Sequence, residues 1–409
     1  MKRQDIAIQV AATLMLLGSV SLAHAVPLVA QVVFGGAGSQ QGTGVAVSGG
    51  NVYFSQINEA TNDGALGRYN GALTTQNWSQ ALGGSPGDLQ GVAVSNSVYA
   101  AGSSRNPSLT SDSIGGFENK SVAASVGLGG GAYNWRTQTP AAAPFFPYSG
   151  TEGSQGIAVS SSGGVDSIYT VGFGEAWSTY GHYGLTLAKL NEAGSVVATA
   201  TYGGGGIFTS GTGITTMGGN VFVVGVRGSN ALIRAYNGSL GSLWGEETVA
   251  GSYNNVTAYN GDIYAVGVNG ANGIVSRYTA AGTRLWTQSF AGDALNGIVG
   301  VNGTLYAVGS SGSDAVLLSL DAVSGAMLSS QTFGGLGTDV FNDIALNSAN
   351  GALYAIGTTN SSSLGANGND VWIAEFTTPS GVPEPASMLL VGAGLLGLVM
   401  LRRRKHQRG

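Results

Sequence analysis

Val221-Phe222-Val223-Val224-Gly225, Ile263-Tyr264-Ala265-Val266-Gly267 and Leu305-Tyr306-Ala307-Val308-Gly309 share one pattern: an aliphatic residue, an aromatic, two small or apolar residues, then glycine. The pattern returns at Val98-Tyr99-Ala100-Ala101-Gly102, Ile168-Tyr169-Thr170-Val171-Gly172 and Leu353-Tyr354-Ala355-Ile356-Gly357, and a looser copy, Val52-Tyr53-Phe54-Ser55, precedes them all. The seven aromatic positions are separated by 46, 70, 53, 42, 42 and 48 residues. Such spacings match the roughly 40–50 residues of a propeller blade, and the interval of 70 marks an insertion.

Each unit divides further. Before the aromatic run comes a short apolar segment ending in turn residues, as in Gly44-Val45-Ala46-Val47-Ser48-Gly49-Gly50-Asn51. Asn260-Gly261 and Asn302-Gly303 supply residues that tolerate positive φ between two β-prone runs, a hairpin signal. A third run follows, such as Ala231-Leu232-Ile233-Arg234-Ala235-Tyr236. A fourth closes the unit, such as Met327-Leu328-Ser329-Ser330-Gln331-Thr332-Phe333. Four strands per repeat make a propeller blade. The seventh repeat ends at its third strand, 370–376, and Pro379 leads away from it. The missing pattern stands at the other end of the chain, where Val29-Ala30-Gln31-Val32-Val33-Phe34-Gly35-Gly36 matches 329–335. The expected fold is therefore all-β, a seven-bladed β-propeller over 26–378 closed by its N-terminal strand, which removes an exposed sheet edge.

These repeats resemble the β-propeller repeats of secreted bacterial proteins, with GIAV-, IYVVG- and LAKLN-like strands over about residues 29–378. Blade two departs from the pattern: 113–118 makes a poor third strand, and about 120–150, rich in glycine and proline, reads as an insertion. A parallel β-helix is the structural alternative, but its coils repeat at periods shorter than 42.

The 70 glycines and only 9% charged residues among 409 are unlike an average enzyme, yet 43% hydrophobic residues suffice for a core. Cysteine is absent, which excludes disulfides, thiolate zinc sites and a cysteine nucleophile. From Val26 to Val382 there are 19 acidic against 9 basic residues, a balance of −10 that argues against nucleic acid as a partner.

The termini carry an address. Lys2 and Arg3, an apolar stretch to Leu22, and Ala23-His24-Ala25 form a signal peptide (1–25), with cleavage expected after Ala25. A linker (379–385) with Pro383-Glu384-Pro385 precedes an apolar run (386–401) that would form a transmembrane helix of 16 residues, and a basic tail (402–409) with Arg402, Arg403 and Arg404 would face the cytoplasm. This tripartite end resembles the PEP-CTERM sorting signal of Gram-negative bacteria that make extracellular polysaccharide. The resemblance implies recognition of Pro383, Glu384 and Pro385 by an exosortase-type membrane protease, with transient inner-membrane anchoring and then release or re-anchoring at the cell surface or outside the cell. A plain membrane anchor would leave Pro-Glu-Pro unexplained.

Chemistry is sparse. Of three histidines, His24 belongs to the signal peptide and His406 to the tail, so only His182 remains, and no catalytic residue is nominated. No metal site is assigned. Asp339 with Asp343, or Asn367, Asn369 and Asp370, offer oxygen ligands for Ca²⁺, but turn formation explains them as well. Tyr133, Trp135, Phe145, Phe146 and Tyr148 form a candidate ligand-binding loop for sugars, against the simpler reading that they fasten a long loop to the blade. Tyr99, Tyr169, Tyr264, Tyr306 and Tyr354 recur too regularly for a site and read as inter-blade core. Trp286 in GTRLWTQSF resembles the tryptophan motif of quinoprotein propellers, but most blades lack it and no residues match a cofactor site, so no cofactor is expected. The function expected is an exported binding or structural module for exopolysaccharide or surface proteins. The alternatives are a secreted lyase or glycosidase using Asp or Glu with Tyr on one face, and a purely structural surface protein.

Overall fold

The computed structural model describes residues 25–35, 38–58, 63–81, 87–105, 119–138, 152–176, 182–203 and 206–379. Pro27–Thr377 form one compact unit. Outside it only Ala25, Val26, Thr378 and Pro379 are described.

The chain begins with β1 (Leu28–Phe34) and then lays down blades in order. Blade 1 holds β2 (Gln40–Ser48), β3 (Asn51–Asn58), β4 (Asp63–Asn70) and β5 (Gln76–Ala81). Blade 2 holds β6 (Gly87–Val94), β7 (Val98–Arg105), β8 (Asn119–Val126) and β9 (Tyr133–Gln138). Blade 3 holds β10 (Glu152–Ser162), β11 (Val165–Ala176), β12 (His182–Asn191) and β13 (Val196–Gly203). Blade 4 holds β14 (Thr209–Met217), β15 (Asn220–Arg227), β16 (Asn230–Asn237) and β17 (Ser242–Ala250). Blade 5 holds β18 (Ser252–Tyr259), β19 (Asp262–Asn269), β20 (Asn272–Thr279) and β21 (Arg284–Ala291). Blade 6 holds β22 (Asp293–Val301), β23 (Thr304–Ser311), β24 (Asp314–Asp321) and β25 (Met327–Phe333). Blade 7 holds β26 (Asp339–Leu346), β27 (Ala352–Thr359), a short 3₁₀ turn (Ser362–Leu364) and β28 (Asp370–Thr377).

All pairings within blades are antiparallel, and β1 supplies the fourth strand of blade 7 by pairing with β28. The seven-bladed, N-terminally closed propeller expected from the repeats is what the chain forms. Blade 2 requires a correction: its third strand is β8 and its fourth is β9, so the first part of the supposed insertion at 120–150 belongs to the blade itself. The small residues of β8, Ser121-Val122-Ala123-Ala124-Ser125, hid its strand character. The segment 113–118 lies outside the described residues, as do residues 1–24 of the expected signal peptide (1–25) and the expected helix 386–401. Among the described residues no helix is long and apolar enough to cross a membrane.

The hairpins follow from local chemistry. Asn260-Gly261 and Asn302-Gly303 take φ of 50° and 83°, and 51° and 78°, as type I′ turns demand. At the turn between third and fourth strands, Asn70, Asn191, Asn237 and Asp321 each accept backbone N–H bonds from the turn, fixing its direction. On the first strand of every blade one extra residue shifts the register, a bulge at Thr43, Gln90, Gln155, Thr212, Asn254, Asn296 and Asn342. This bulge explains the repeated glycine. A Cβ at Gly102, Gly172, Gly225, Gly267, Gly309 or Gly357 would sit 1.7–1.9 Å from a carbonyl oxygen of the bulged strand. Blade 1 has Gln56 at that place instead.

The core lies between blades rather than within them. Phe54, Tyr69, Ile356 and Ile373 join blades 1 and 7, and Val266, Leu295, Val316 and Leu318 join blades 5 and 6. Phe333 meets Phe376 at 5.0 Å across the junction of blades 6 and 7. The recurrent tyrosines are buried there as expected. Tyr169, Tyr264 and Tyr354 each donate a hydroxyl to a carbonyl of the following blade, on Gly238, Ala322 and Gly71. Tyr99 donates to Asp166 at 2.9 Å, and burial together with that carboxylate holds its phenol far above the ordinary value.

Candidate functional site

The first strand of each blade faces the axis, and there the seven bulges converge. Thr43, Gln90, Gln155, Thr212, Asn254, Asn296 and Asn342 line one cavity of about 380 Å³, together with Gln41, Asn255 and Asp343. Glycines 91, 156 and 213 and the side chains of Val92, Ile157 and Ile214 complete the wall. Ten of these residues carry a hydroxyl, carboxamide or carboxylate; none is aromatic or cationic.

Five bulge residues lace neighbouring blades together. Thr43 Oγ1 donates to Leu89 O at 2.6 Å, and Thr212 Oγ1 to Tyr253 O at 2.6 Å. The Nδ2 groups of Asn254, Asn296 and Asn342 donate to Leu295 O, Phe341 O and Gly42 O at 2.9, 3.1 and 2.8 Å. Every acceptor is the residue just before the bulge of the next blade. The bond from Asn342 to Gly42 closes the circle between blades 7 and 1. Each such bond contributes about 1 kcal/mol net. Gln90 and Gln155, one methylene longer, do something else: Gln155 Oε1 accepts from Ser210 Oγ at 3.2 Å, and Gln90 Nε2 approaches Asp88 Oδ2 at 3.5 Å.

The position after the bulge is glycine in five blades: Gly44, Gly91, Gly156, Gly213 and Gly297. Packing requires it in three of them, since a Cβ on Gly44, Gly213 or Gly297 would stand 2.8–3.0 Å from backbone of the next blade. Blades 5 and 7 instead carry Asn255 and Asp343. Their side chains meet across the intervening blade, Asn255 Nδ2 donating to Asp343 Oδ1 at 3.0 Å, while Asp343 Oδ2 accepts Val45 N–H at 3.0 Å. Burial pushes the Asp343 carboxyl up to about 6, against the opposing pull of the N–H groups of Val45 and Ile344 and the Asn255 amide.

The residues singled out by sequence are placed as follows. Tyr133 and Trp135 lie on β9, where Tyr133 donates its hydroxyl to Ala81 O at 3.1 Å and Trp135 its indole N–H to Glu192 O at 2.7 Å. Phe145, Phe146 and Tyr148 lie outside the described residues, as do Ala23, Pro383, Glu384, Pro385, Arg402, Arg403 and Arg404. His182 opens β12, its backbone paired with Ala176. Among the described residues no three of His, Asp and Glu gather to hold a metal. Asp339 is fully buried and accepts from Gly335 N and Ser361 Oγ, whereas Asp343 faces the axis; Asp370 accepts from Asn367 N. The tryptophan motif is commoner than it reads in the sequence. Trp78, Trp135, Trp244 and Trp286 occupy the same place on four fourth strands, each donating to a carbonyl in the turn of the next blade and covering a glycine there.

Carboxylate–tyrosine pairings of the kind a lyase would need are Tyr99 with Asp166, Tyr354 with Glu375 and, at the outer junction of blades 3 and 4, Tyr202, which donates to Glu247 while Arg227 pairs with Glu247 at 2.8 Å. Burial, then the Glu247 hydrogen bond, raises the Tyr202 phenol, the direction opposite to that of a ready base. The axial carboxamides were missed by sequence reasoning because each alone reads as an ordinary turn or strand-edge residue. The repeated polar–Gly step in QGVAV, QGIAV, TGITT and NGIVG was the available signal.

The chain is similar to several solved structures. The Dos1 propeller aligns at a TM-score of 0.52 with 10% identity, covering 85% of this chain and 94% of that one. A europium-containing methanol dehydrogenase aligns at 0.49 with 9% identity (81% and 81% covered), and the C-terminal WD40 domain of Sif2 at 0.47 with 10% identity (82% and 81%). At 10% identity the Dos1 alignment shows the propeller fold alone. No curated protein sequence matches the chain. The family model of the PEP-CTERM protein-sorting motif matches residues 381–405, and that motif implies an exported protein, transiently anchored in a membrane and processed by an exosortase.

Proposed function

We propose that this chain is a binding or structural module for exopolysaccharide or surface proteins, delivered to the cell surface or extracellular matrix of a Gram-negative bacterium. The observation that carries the reading is the pairing of a PEP-CTERM motif with a propeller whose blades are laced together at the axis without cysteine. A closed ring of interlocked blades holds its surface groups in fixed positions, so little ordering free energy is lost on binding. In this reading Ala23 and Ala25 direct signal cleavage. The segment 386–401 spans the membrane, Arg402, Arg403 and Arg404 hold its cytoplasmic end, and Pro383, Glu384 and Pro385 present the processing site.

The test is fractionation of the producing organism, with immunoblotting of membrane, surface and matrix fractions, alongside a glycan array and a matrix pull-down with the purified chain. Enrichment in surface or matrix, with capture of a glycan or surface protein, is expected. Retention in the inner membrane with both binding assays blank would end the proposal. A secreted lyase or glycosidase would instead degrade the native exopolysaccharide.

A further inference from the structure

The axial cavity breaks the repeat where packing least permits it. Five blades place glycine after the bulge, and at Gly44, Gly213 and Gly297 the next blade's backbone leaves almost no room for a Cβ. Blades 5 and 7 each place a polar side chain there, and the two join across blade 6. The two carboxamides that do not bond the next blade's pre-bulge carbonyl, Gln90 and Gln155, belong to blades 2 and 3, which in a ring of seven stand opposite blade 6. The cavity thus has two polar edges facing each other across the axis, Asn255 with Asp343 and Gln90 with Gln155.

We propose that this cavity is a binding site for a neutral saccharide unit, held by hydroxyl bonds to Asp343 and Asn255 on one side and to Gln90 and Gln155 on the other. The proposal deepens the module reading above and rests on it for its ligand class. A sugar hydroxyl both donates and accepts, and carboxamides offer both functions in one plane, while an ionised carboxylate accepts from two vicinal hydroxyls. The existing bonds use only part of each carboxamide's capacity. An anionic ligand has no Lys or Arg to meet among the described residues of the wall and would face Asp343. An apolar ligand would strip water from ten polar side chains without replacing their bonds. For a divalent cation the wall offers one carboxylate among the described residues, short of the oxygen-rich shell calcium takes. The volume, about 380 Å³, is at the lower end of small-molecule pockets and suits a mono- or disaccharide.

The experiment is saturation-transfer NMR on the purified full-length chain in detergent, with D-glucose, D-galactose, D-mannose, L-rhamnose, N-acetyl-D-glucosamine, cellobiose and lactose as probes. At least one is expected to receive saturation, and the double variant Asn255→Gly/Asp343→Gly, which restores the residue used by five blades, is expected to weaken its binding at least tenfold in a chain that still unfolds cooperatively. Should that variant not fold, Gln90→Ala/Gln155→Ala must show the same loss. No transfer to any probe, or transfer unchanged in a folded variant, overturns the site; a melting shift with calcium chloride alone and none with sugars overturns the ligand class. Matrix retention that survives in the glycine variant while sugar binding is absent from the native chain would defeat the axial site and leave the module reading standing. Loss of retention in the native fractionation would defeat that reading.

Discussion

Replacing Phe34 by Ala tests the closure of the ring. Phe34 sits on β1, the strand separated in sequence from the rest of its blade by over 300 residues, and its ring lies 5.2 Å from Phe54 and 5.4 Å from Tyr69 in blade 1. Its counterpart in the continuous blade 6 is Phe333, 5.0 Å from Phe376 and 6.4 Å from Phe341 in blade 7. Both rings are half-buried. Truncating a fully buried phenylalanine to alanine costs about 3–5 kcal/mol, so half burial leaves about 2 kcal/mol. Edge-on ring pairs add about 0.5–1.5 kcal/mol beyond burial. Each variant should therefore lose roughly 2–3 kcal/mol, and with a urea dependence near about 3 kcal/mol per molar the midpoint should fall by somewhat under ~1 M. The assay is urea unfolding of the native chain, Phe34→Ala and Phe333→Ala in parallel. Equal losses are expected, because the ladder of β1 on β28 makes the terminal strand as much a part of its blade as β25 is of blade 6. A loss below about 0.5 kcal/mol for Phe34→Ala, beside the full loss for Phe333→Ala, would mean that the strand does not hold the ring closed and would refute the reasoning.

Three further outcomes follow from the geometry. Gly225→Ala should cost more than about 3 kcal/mol in urea unfolding, because its Cβ would meet Ser210 O at 1.9 Å, whereas Gly219→Ala in the open turn at φ 79° should cost only about 1–2 kcal/mol. Asp343 holds its proton in the native chain up to about pH 6, while the unfolded chain releases it near about 3.9; the native state thus binds more protons between those values, and stability should fall as pH rises from about 4 to 6 and level off above. The difference in urea midpoint between the native chain and Asp343→Asn should show that step, and a difference flat across this window would exclude it. Trp286→Phe should lose about 1 kcal/mol through the missing N–H bond to Val323 O at 2.8 Å, read from the melting curve.

The seven aromatic positions, the Asn-Gly turns and the match between 29–36 and 329–335 made the architecture legible in the chain, because blade formation depends on local alternation and on turns only a few residues long. Blade 2 was the exception, since Ser121, Ala123, Ala124 and Ser125 carry little β signal, and β8 is fixed by its pairing with β7 and β9 rather than by its own residues. The Pro-Glu-Pro motif and basic end were legible for a different reason: a sorting signal is read as linear sequence. The glycine closing six of the seven aromatic runs was visible, but its cause was not, for the clashing carbonyl belongs to the neighbouring bulged strand. Least legible was the axis. Thr43 and Asp343 stand 300 residues apart in the chain, and Asn255 next to Asp343 is an ordinary polar residue until seven blades close into a circle and bring the first strand of each against the same channel. Periodic, short-range patterning determined the blades and their number. The chemistry at their centre was decided by ring closure, which brings into contact residues that no sequence interval relates.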